Sequence, residues 1–495
     1  MIRALLCSVG VGLAICAGLG GVVHANDFNL PEFGEPADRS LPLFEERELG
    51  AEVFRQFKRY GLLSPDQELQ SYIADLGALL VEANPAARGG HFRFFVVNDP
   101  SINAFAVPGG YIGIHTGLIR AATTEAELAG VMAHEIAHVT QRHIARRIDN
   151  TKGWDLASAA LLLAAIAAGG ADPALVQAAL GLGMGISYQQ QVNYTRAHEL
   201  EADRLGIQML SAAGYAPEGM AGFFKRIAAQ SRLYGEGIPE ILRTHPVSTT
   251  RLAEARSREQ DLPDGAAERS LIFGLMQARA ELAAYDLSSE KLARFPSSWE
   301  GDPLVGQYGR ANALRAVGQH DAALAAAVSA WNTVKIPEQK PTILLELART
   351  QFAAGQREAA TESLRKLHKD QPNNHAVTLT LAQWRLRAGD PEDVRQLLLE
   401  SQAYTAEVPE VFRLLSQAAA QMDQPAEAQF QLANYQRARG DWAAAIRQLQ
   451  NALVREEWDE YSRARLEGRL EVLVANAPQS VRDELRRPQR GPGGP

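Results

Sequence analysis

The hydrophobic pattern changes rhythm several times along the 495 residues. From Leu43 to about Pro85 apolar positions recur at helical spacing, with Leu69, Ile73, Leu76 and Leu80 on one face. Phe92, Phe94, Val96 and Val97 then read as a strand. A second follows over Ala104 to Val107, then a turn at Pro108-Gly109-Gly110 and a third strand over Tyr111 to His115. Helical spacing returns at Thr124, where Thr124-Glu125-Ala126-Glu127 has the form of a capping box and starts a helix extending to about Arg147. An apolar stretch (Leu156 to Ala168) and a glycine-rich segment (Gly181 to Gly185) separate it from a further helix, about Gln189 to Ala213, closed by Gly214.

Beyond about Glu268 the pattern is helical throughout. Gly318, Gly355, Gly389 and Gly440 each follow an alanine by seven residues (Ala311, Ala348, Ala382, Ala433). Each also precedes Ala323, Ala360, Val394 or Ala445 by five. The glycines lie 37, 34 and 51 residues apart. Small residues let paired helices approach and the glycine ends the first of each pair, so this is the pattern of a tetratricopeptide repeat, with a degenerate unit at about Pro409 to Leu432. The concave side of such an array is a surface for a protein partner.

The two ends read differently. Arg3 precedes an uncharged apolar run, Ala4 to Val23, and Val23-His24-Ala25 is a small-residue cleavage site, so residues 1–25 form an export signal. A retained membrane anchor fits less well, given that site. A lipid-modified Cys16 is disfavoured by the bulk of Ile15 before it. Both cysteines, Cys7 and Cys16, fall inside the signal, so the mature chain has no thiols for disulfides or metal, as suits an oxidising compartment. Residues 26–42 read as an extended arm and 478–495, rich in Pro, Gly and Arg, as a disordered tail. The formal net charge of -8 argues against a nucleic-acid partner. Leu156 to Ala168 is too short to span a bilayer. It is either a buried hairpin or a lid that touches membrane or unfolded substrate.

The chemistry lies in His134-Glu135-Ile136-Ala137-His138. Residues four apart on a helix share a face, so His134 and His138 can present two imidazoles to one Zn²⁺, while Glu135, turned about 100° away, reaches a water beside it as general base. With no thiols, the third ligand is His, Asp or Glu. The place for it is Ala197-His198-Glu199-Leu200-Glu201-Ala202-Asp203, where Glu199 and Asp203 share a face: one ligates, the other holds a ligating His in orientation. Spacing alone does not choose firmly between Glu199 and Glu201.

The HExxH motif and the ExxxD motif some 60 residues later resemble the M48 peptidases, a gluzincin family. The matching segments are Thr124 to Arg142 and Ser187 to Gln208, with Ile102 to Gly110 like the family's strand before the HExxH helix. The resemblance implies a mostly α fold: a gluzincin-type α+β peptidase domain with a small sheet (residues 26–267), then an α-solenoid of tetratricopeptide repeats (268–477). It implies one Zn²⁺ per chain on His134, His138 and Glu199, with Asp203 supporting a ligand. His245, in Arg243-Thr244-His245-Pro246, matches a residue that can occupy the fourth position on zinc and shut the site, and Arg251 matches a further family position. The order of signal, peptidase and repeats resembles periplasmic members of the family. Those combine endopeptidase and chaperone roles, assisting outer-membrane proteins, cleaving those that stall, and meeting the β-barrel assembly machinery through the repeats. The alternative is chiefly a repeat-based scaffold with latent proteolysis.

Three histidines are set aside. His143 falls about 140° from His138 on a continuous helix and reads as a polar-face residue. His198 points away from the metal, and His115 ends a strand at an undetermined distance from it. Ala104 to Val107, if an edge strand, would pair with an extended substrate backbone.

Overall fold

The computed structural model describes residues 41–147, 196–234, 239–267, 272–283, 295, 302–405, 407–455 and 458–486. The expected export signal at 1–25, the expected arm as far as residue 40, the apolar stretch at 156–168 and the first turns of the helix expected from Gln189 lie outside them. Among the described residues no helix is long and apolar enough to cross a membrane.

The expected helical start is two helices, α1 (Leu43–Arg59) and α2 (Gln67–Ala83). Asp66 caps α2, accepting from the N–H groups of Glu68 and Leu69. The three strands are β1 (Arg93–Val97), β2 (Ala104–Val107) and β3 (Tyr111–His115). They form one sheet in the order β1-β3-β2, β1 parallel and β2 antiparallel to β3. β2 is therefore an edge strand, as expected, and β1 is the other edge. The Pro108–Gly110 turn holds Gly109 at φ 78, where a Cβ would meet the Arg47 Cα at 2.7 Å.

After α3 (Thr116–Ala121), the HExxH helix is α4 (Glu125–Thr140). Thr124 caps it by accepting from the Glu127 N–H at 3.2 Å, but the Glu127 carboxylate reaches the N–H of Thr123, one residue before the cap. The helix does not continue to Arg147. Arg142 takes φ 51 and a separate helix, α5 (His143–Arg147), follows at a new angle.

Two helices pack on α4: α6 (Arg196–Ala212) and α7 (Gly219–Tyr234). Glycines bring them close. A Cβ on Gly206 would sit 3.2 Å from the His134 Cα, and one on Gly130 only 2.7 Å from the Met220 Cα. The core around α4 is fully buried Leu128, Val131, Met132 and Ile136, with Ile112 and Ile114 from the sheet. The helices α8 (Glu240–Thr244) and α9 (Thr249–Glu259) follow.

From α10 (Phe273–Ala283) onward the described residues hold only helices and turns. Antiparallel pairs follow: α11 (Pro303–Ala316) with α12 (His320–Thr333), α13 (Lys340–Ala353) with α14 (Arg357–Asp370), and α15 (His375–Ala388) with α16 (Pro391–Leu399). Gly318, Gly355 and Gly389 stand at the corners with φ 78, 83 and 87. The flanking small residues Ala311, Ala323, Ala348, Ala360, Ala382 and Val394 are fully buried where the helices meet.

After the short α17 (Gln402–Thr405), the unit expected to be degenerate is a full hairpin, α18 (Pro409–Gln421) and α19 (Pro425–Ala438). Asp423 takes the left-handed corner at φ 55 in place of glycine. Gly440 therefore opens a corner one helix later, before α20 (Trp442–Arg455). The chain then runs through α21 (Glu460–Asn476) into α22 (Gln479–Arg486). That last helix corrects the expected disordered tail over 479–486: Val481 is buried and Glu484 pairs with Arg59 of α1 at 3.3 Å.

The repeats are pinned to the peptidase part at two places. Near their start, Arg279 of α10 binds Asp66 at 2.7 Å and Glu68 at 3.0 Å, and Arg349 of α13 binds the same Glu68 at 2.6 Å. Near their end, Arg55 of α1 donates to the Gly440 carbonyl at 3.1 Å, and a Cβ on Gly440 would meet the Arg55 carbonyl oxygen at 2.6 Å.

Corner conformation gives a test. Asp423→Gly should stabilise the repeats by up to about 1 kcal/mol, and Gly355→Ala should destabilise them by about as much, since only glycine holds positive φ without steric cost. Thermal melts of the two variants that shift in the same direction would contradict this.

Candidate metal centre

The site grows from one helix face. His134 and His138 are a turn apart on α4, fully buried, with Nε2 atoms 3.0 Å apart. The close approach at Gly206 lays α6 beside them. Glu199 thereby brings Oε2 to 3.6 Å from His134 Nε2 and Oε1 to 3.4 Å from His138 Nε2. His245, just past α8, places Nδ1 3.2 Å from His134 Nε2 and 3.1 Å from Glu199 Oε1. Each of the four offers one ligand atom, all within 4.8 Å of one another.

These spacings test whether a metal fits. A tetrahedral ion with bonds of about 2.0–2.1 Å separates its ligand atoms by roughly 3.3–3.4 Å. The donor separations above, 3.0 to 3.6 Å, bracket that value. Three imidazoles with one carboxylate are a donor set that suits zinc. Glu135 adds a further sign. It is buried, neither of its carboxylate oxygens has a hydrogen-bond partner, and His245 Nε2 lies 3.3 Å from Oε1. A buried carboxylate left so belongs beside a reacting group or a water.

A second ring of charge supports the first. His134 Nδ1 lies 3.1 Å from Asp203 Oδ1, at ion-pair distance though not aligned as a hydrogen bond. Arg251 donates two bonds to Asp203, at 2.7 and 2.8 Å, and Nη1 lies 2.7 Å from Glu199 Oε2. Its Nη1 also donates to the Pro246 carbonyl at 2.8 Å, which ties it to the residue after His245. Arg251 is thus paired with Asp203, and with Glu199.

The protonation pattern follows. Burial alone would lower His134, but Asp203 and Glu199 outweigh it and raise its pKa to about 9. Burial holds His138 well below the ordinary histidine range, with the charge on His134 adding to it. Burial opposes ionisation of Glu199, yet His245 and the other two histidines keep it well below the usual carboxylate range. Asp203 is also lowered, because Arg251 and His134 overcome its burial.

His143 is not the polar-face residue expected. The break at Arg142 swings it back, fully buried, with Nδ1 2.8 Å from His138 Nδ1. Its Nε2 lies 3.0 Å from Glu201 Oε2, and the His198 ring stacks on it with centroids 4.4 Å apart. Glu201 points away from the cluster and meets His143. No local signal announces this. Arg142 is held in its unusual conformation by distant groups: it donates to Glu46 at 3.0 Å and to the Leu41 carbonyl at 2.7 Å. His115 stays out of the cluster, at 2.8 Å from the Ser101 hydroxyl.

A helix carrying HExxH, an antiparallel helix carrying ExxxD and a small sheet beside them define a metallopeptidase. The family model "Peptidase family M48" matches residues 64–259, and a "Tetratricopeptide repeat" model matches 351–418. The chain is 33% identical over 381 residues to "Beta-barrel assembly-enhancing protease" of Escherichia coli K12, covering 74% of this chain and 75% of that protein. It is 38% identical over 279 residues to "Putative beta-barrel assembly-enhancing protease" of Vibrio cholerae, 56% of each. A shorter stretch, 174 residues, is 32% identical to "Mitochondrial metalloendopeptidase OMA1" of Arabidopsis thaliana, covering 34% of this chain and 33% of that one. The chain belongs to peptidase family M48, with tetratricopeptide repeats following the peptidase part.

The His138–His143–Glu201 chain is the kind of outer support whose loss typically costs about 10–100-fold in metal affinity. His143→Ala is expected to lose metal to a competing chelator over that range, while Arg146→Ala retains it. Equal retention by the two variants, measured by metal analysis after dialysis against the chelator, would show that the contact carries nothing.

Proposed function

We propose that the chain is a zinc endopeptidase whose metal is held by His134, His138 and Glu199, one ion per chain, with His245 as a fourth ligand that closes the site at rest. The observation that carries this is the buried cluster of four donors within 4.8 Å of one another, several of whose separations lie near the edge of a tetrahedral zinc site. When bound, zinc would supply Lewis acidity to the attacking water and the scissile carbonyl.

The chain's own groups do the rest. Glu135 takes the water's proton and returns it to the leaving amine, which its unpartnered buried carboxylate suits. Asp203, fixed by two bonds from Arg251, holds His134 with Nε2 inward. For His138 to ligate through Nε2, its proton must sit on Nδ1 and be donated to His143. His143 Nε2–H then donates to Glu201.

His245 stands between the metal position and Glu135, touching both sides: Nδ1 faces Glu199, and Nε2 lies 3.3 Å from Glu135. A water positioned for Glu135 needs that space, so the state described is a closed one. α8, which leads into His245, is joined to the segment just before the edge strand by the Ile241 N–H, which donates to the Ile102 carbonyl at 3.2 Å. Substrate backbone pairing along β2 would pull on that joint, coupling occupancy to release of His245.

The wider role rests on likeness. The export signal and the two protein names above support a periplasmic enzyme that acts on outer-membrane proteins during β-barrel assembly, cleaving those that stall. The peptidase part would span 26–267 and the repeats, 268–477, would meet the assembly machinery. The closed position of His245 favours a second reading as well, in which the repeats bind and proteolysis is held in reserve.

Removing the base should separate these. Glu135→Gln is expected to keep its zinc and lose casein cleavage by about 10²–10⁴-fold, the usual worth of general acid–base catalysis. Cleavage at wild-type rate would sink the assignment, and outer-membrane protein maturation sustained by this variant would favour the binding role. His245→Ala should cleave casein several-fold faster than wild type with zinc still bound. A slower enzyme with less zinc would mean that His245 is a structural ligand and no gate.

A further inference from the structure

Away from the metal, a cavity of about 1760 Å³ lies between the peptidase part and the inner face of the repeats. Small-molecule pockets run to roughly 300–1,000 Å³, so this one has room for a stretch of polypeptide. One wall is the edge of β1 and the face of α2, and the opposite wall comes from α13, α15 and the α19–α20 corner.

Three features of the walls point to an occupant. The first is charge. Each acidic side chain lining the cavity has a basic partner: Asp66 with Arg279, Glu82 with Arg88, Glu407 with Arg437 and Glu410 with Arg413. Four lining cations, Lys58, Arg93, Arg387 and Arg439, have no carboxylate at ion-pair distance among the described residues. Lys58 and Arg93 both lie over the Phe54 ring, at 5.1 and 4.6 Å. Their crowding shows in Lys58, whose pKa burial and Arg93 lower to about 8 against the pull of Glu407. In a chain with a formal net charge of -8, this is a local excess of positive charge.

The second feature is a strand edge. Val96 of β1 turns its N–H and C=O away from β3. There the Gln70 amide takes both, at 3.0 and 3.1 Å, and Ser64 N–H donates to the same carbonyl at 2.9 Å. The two-residue period puts the N–H and C=O of Phe94 on the same side, and among the described residues neither bonds to a group outside the sheet. Gln70 blunts the edge at Val96 and leaves it open at Phe94. The third feature is aromatic surface: Phe352 and Trp384 stack at 4.3 Å on the repeat wall, facing the stacked Phe92 and Phe94.

We propose that this cavity binds an acidic, extended polypeptide segment, which adds to the edge of β1 at Phe94, lays apolar side chains on the Phe352–Trp384 stack and sets carboxylates against Lys58, Arg93, Arg387 and Arg439. Backbone pairing supplies affinity without reading sequence, and the cations select the acidic chain over a basic one. The site is separate from the metal and does not depend on which residues hold it.

The test uses the full chain carrying Glu135→Gln, so that nothing is cut, and a fluorescein-labelled ten-residue peptide alternating valine and aspartate. Fluorescence anisotropy should show saturable binding that weakens as salt rises. Replacing aspartate by asparagine in the peptide, N-methylating alternate peptide nitrogens, or adding Arg387→Glu with Arg439→Glu to the protein should each weaken binding at least tenfold. Both arginines are exposed, so the reversal should spare the fold. Casein cleavage within twofold of wild type, by the same reversal in a chain that keeps Glu135, checks this. Binding that is absent, unchanged by the charge reversal, or indifferent to N-methylation overturns the proposal. So does competition by a polyphosphate of equal charge as effective as the unlabelled peptide, which would mark a site for phosphate groups instead.

Discussion

Everything at the centre depends on how closely α6 can lie against α4. Two imidazoles on one helix make half a metal site. The other half arrives only because Gly206 lets the second helix approach to where a methyl group would touch the His134 backbone. That proximity places Glu199 among the imidazoles and Asp203 behind them. It also buries two carboxylates, which the core tolerates only because Arg251 binds both. Arg251 in turn holds the carbonyl of Pro246, so the backbone beside His245 is steadied by the group that neutralises both carboxylates.

Much of this was legible because the relevant signals are local. HExxH needs only the helical period, and the ExxxD pair needs only the same period on a second helix. The three strands announce themselves by apolar runs broken by Pro108-Gly109-Gly110. The repeat corners are marked by glycines that all take positive φ. Where the chemistry was carried by one element, residue spacing sufficed. The choice of Glu199 over Glu201 came from family likeness, and the packing of α6 gives it physical form: Glu199 is turned inward and Glu201 toward His143.

What escaped was set by contacts far apart in sequence. Nothing in Thr140-Gln141-Arg142-His143 stops a helix, since no glycine or proline is present. The stop comes from Glu46 and the Leu41 carbonyl gripping Arg142. With the helix broken, His143 moves from an expected outer face to the back of His138. The corner at Asp423 escaped for a related reason: an aspartate can hold left-handed backbone, but sequence marks that conformation clearly only at glycine. The last helix, α22, is short and charged, and forms where α1 offers Arg59 and Val481 joins the core of α19, α20 and α21.

The fastening of the repeats to the peptidase part at both ends has a consequence for mechanics. A solenoid of stacked hairpins held at one end flexes like a spring, each joint giving a little. Here the array is fastened near its start through Glu68 and near its end through Gly440 and Arg55, both on the same peptidase body. It is therefore a hoop, and a hoop cannot widen by sharing small rotations among its joints. Its interior keeps one size until a fastening lets go, and the later fastening sits on α1, whose Glu46 also holds Arg142 behind His138 and His143. Opening the hoop and loosening the floor of the metal centre would then be parts of a single event.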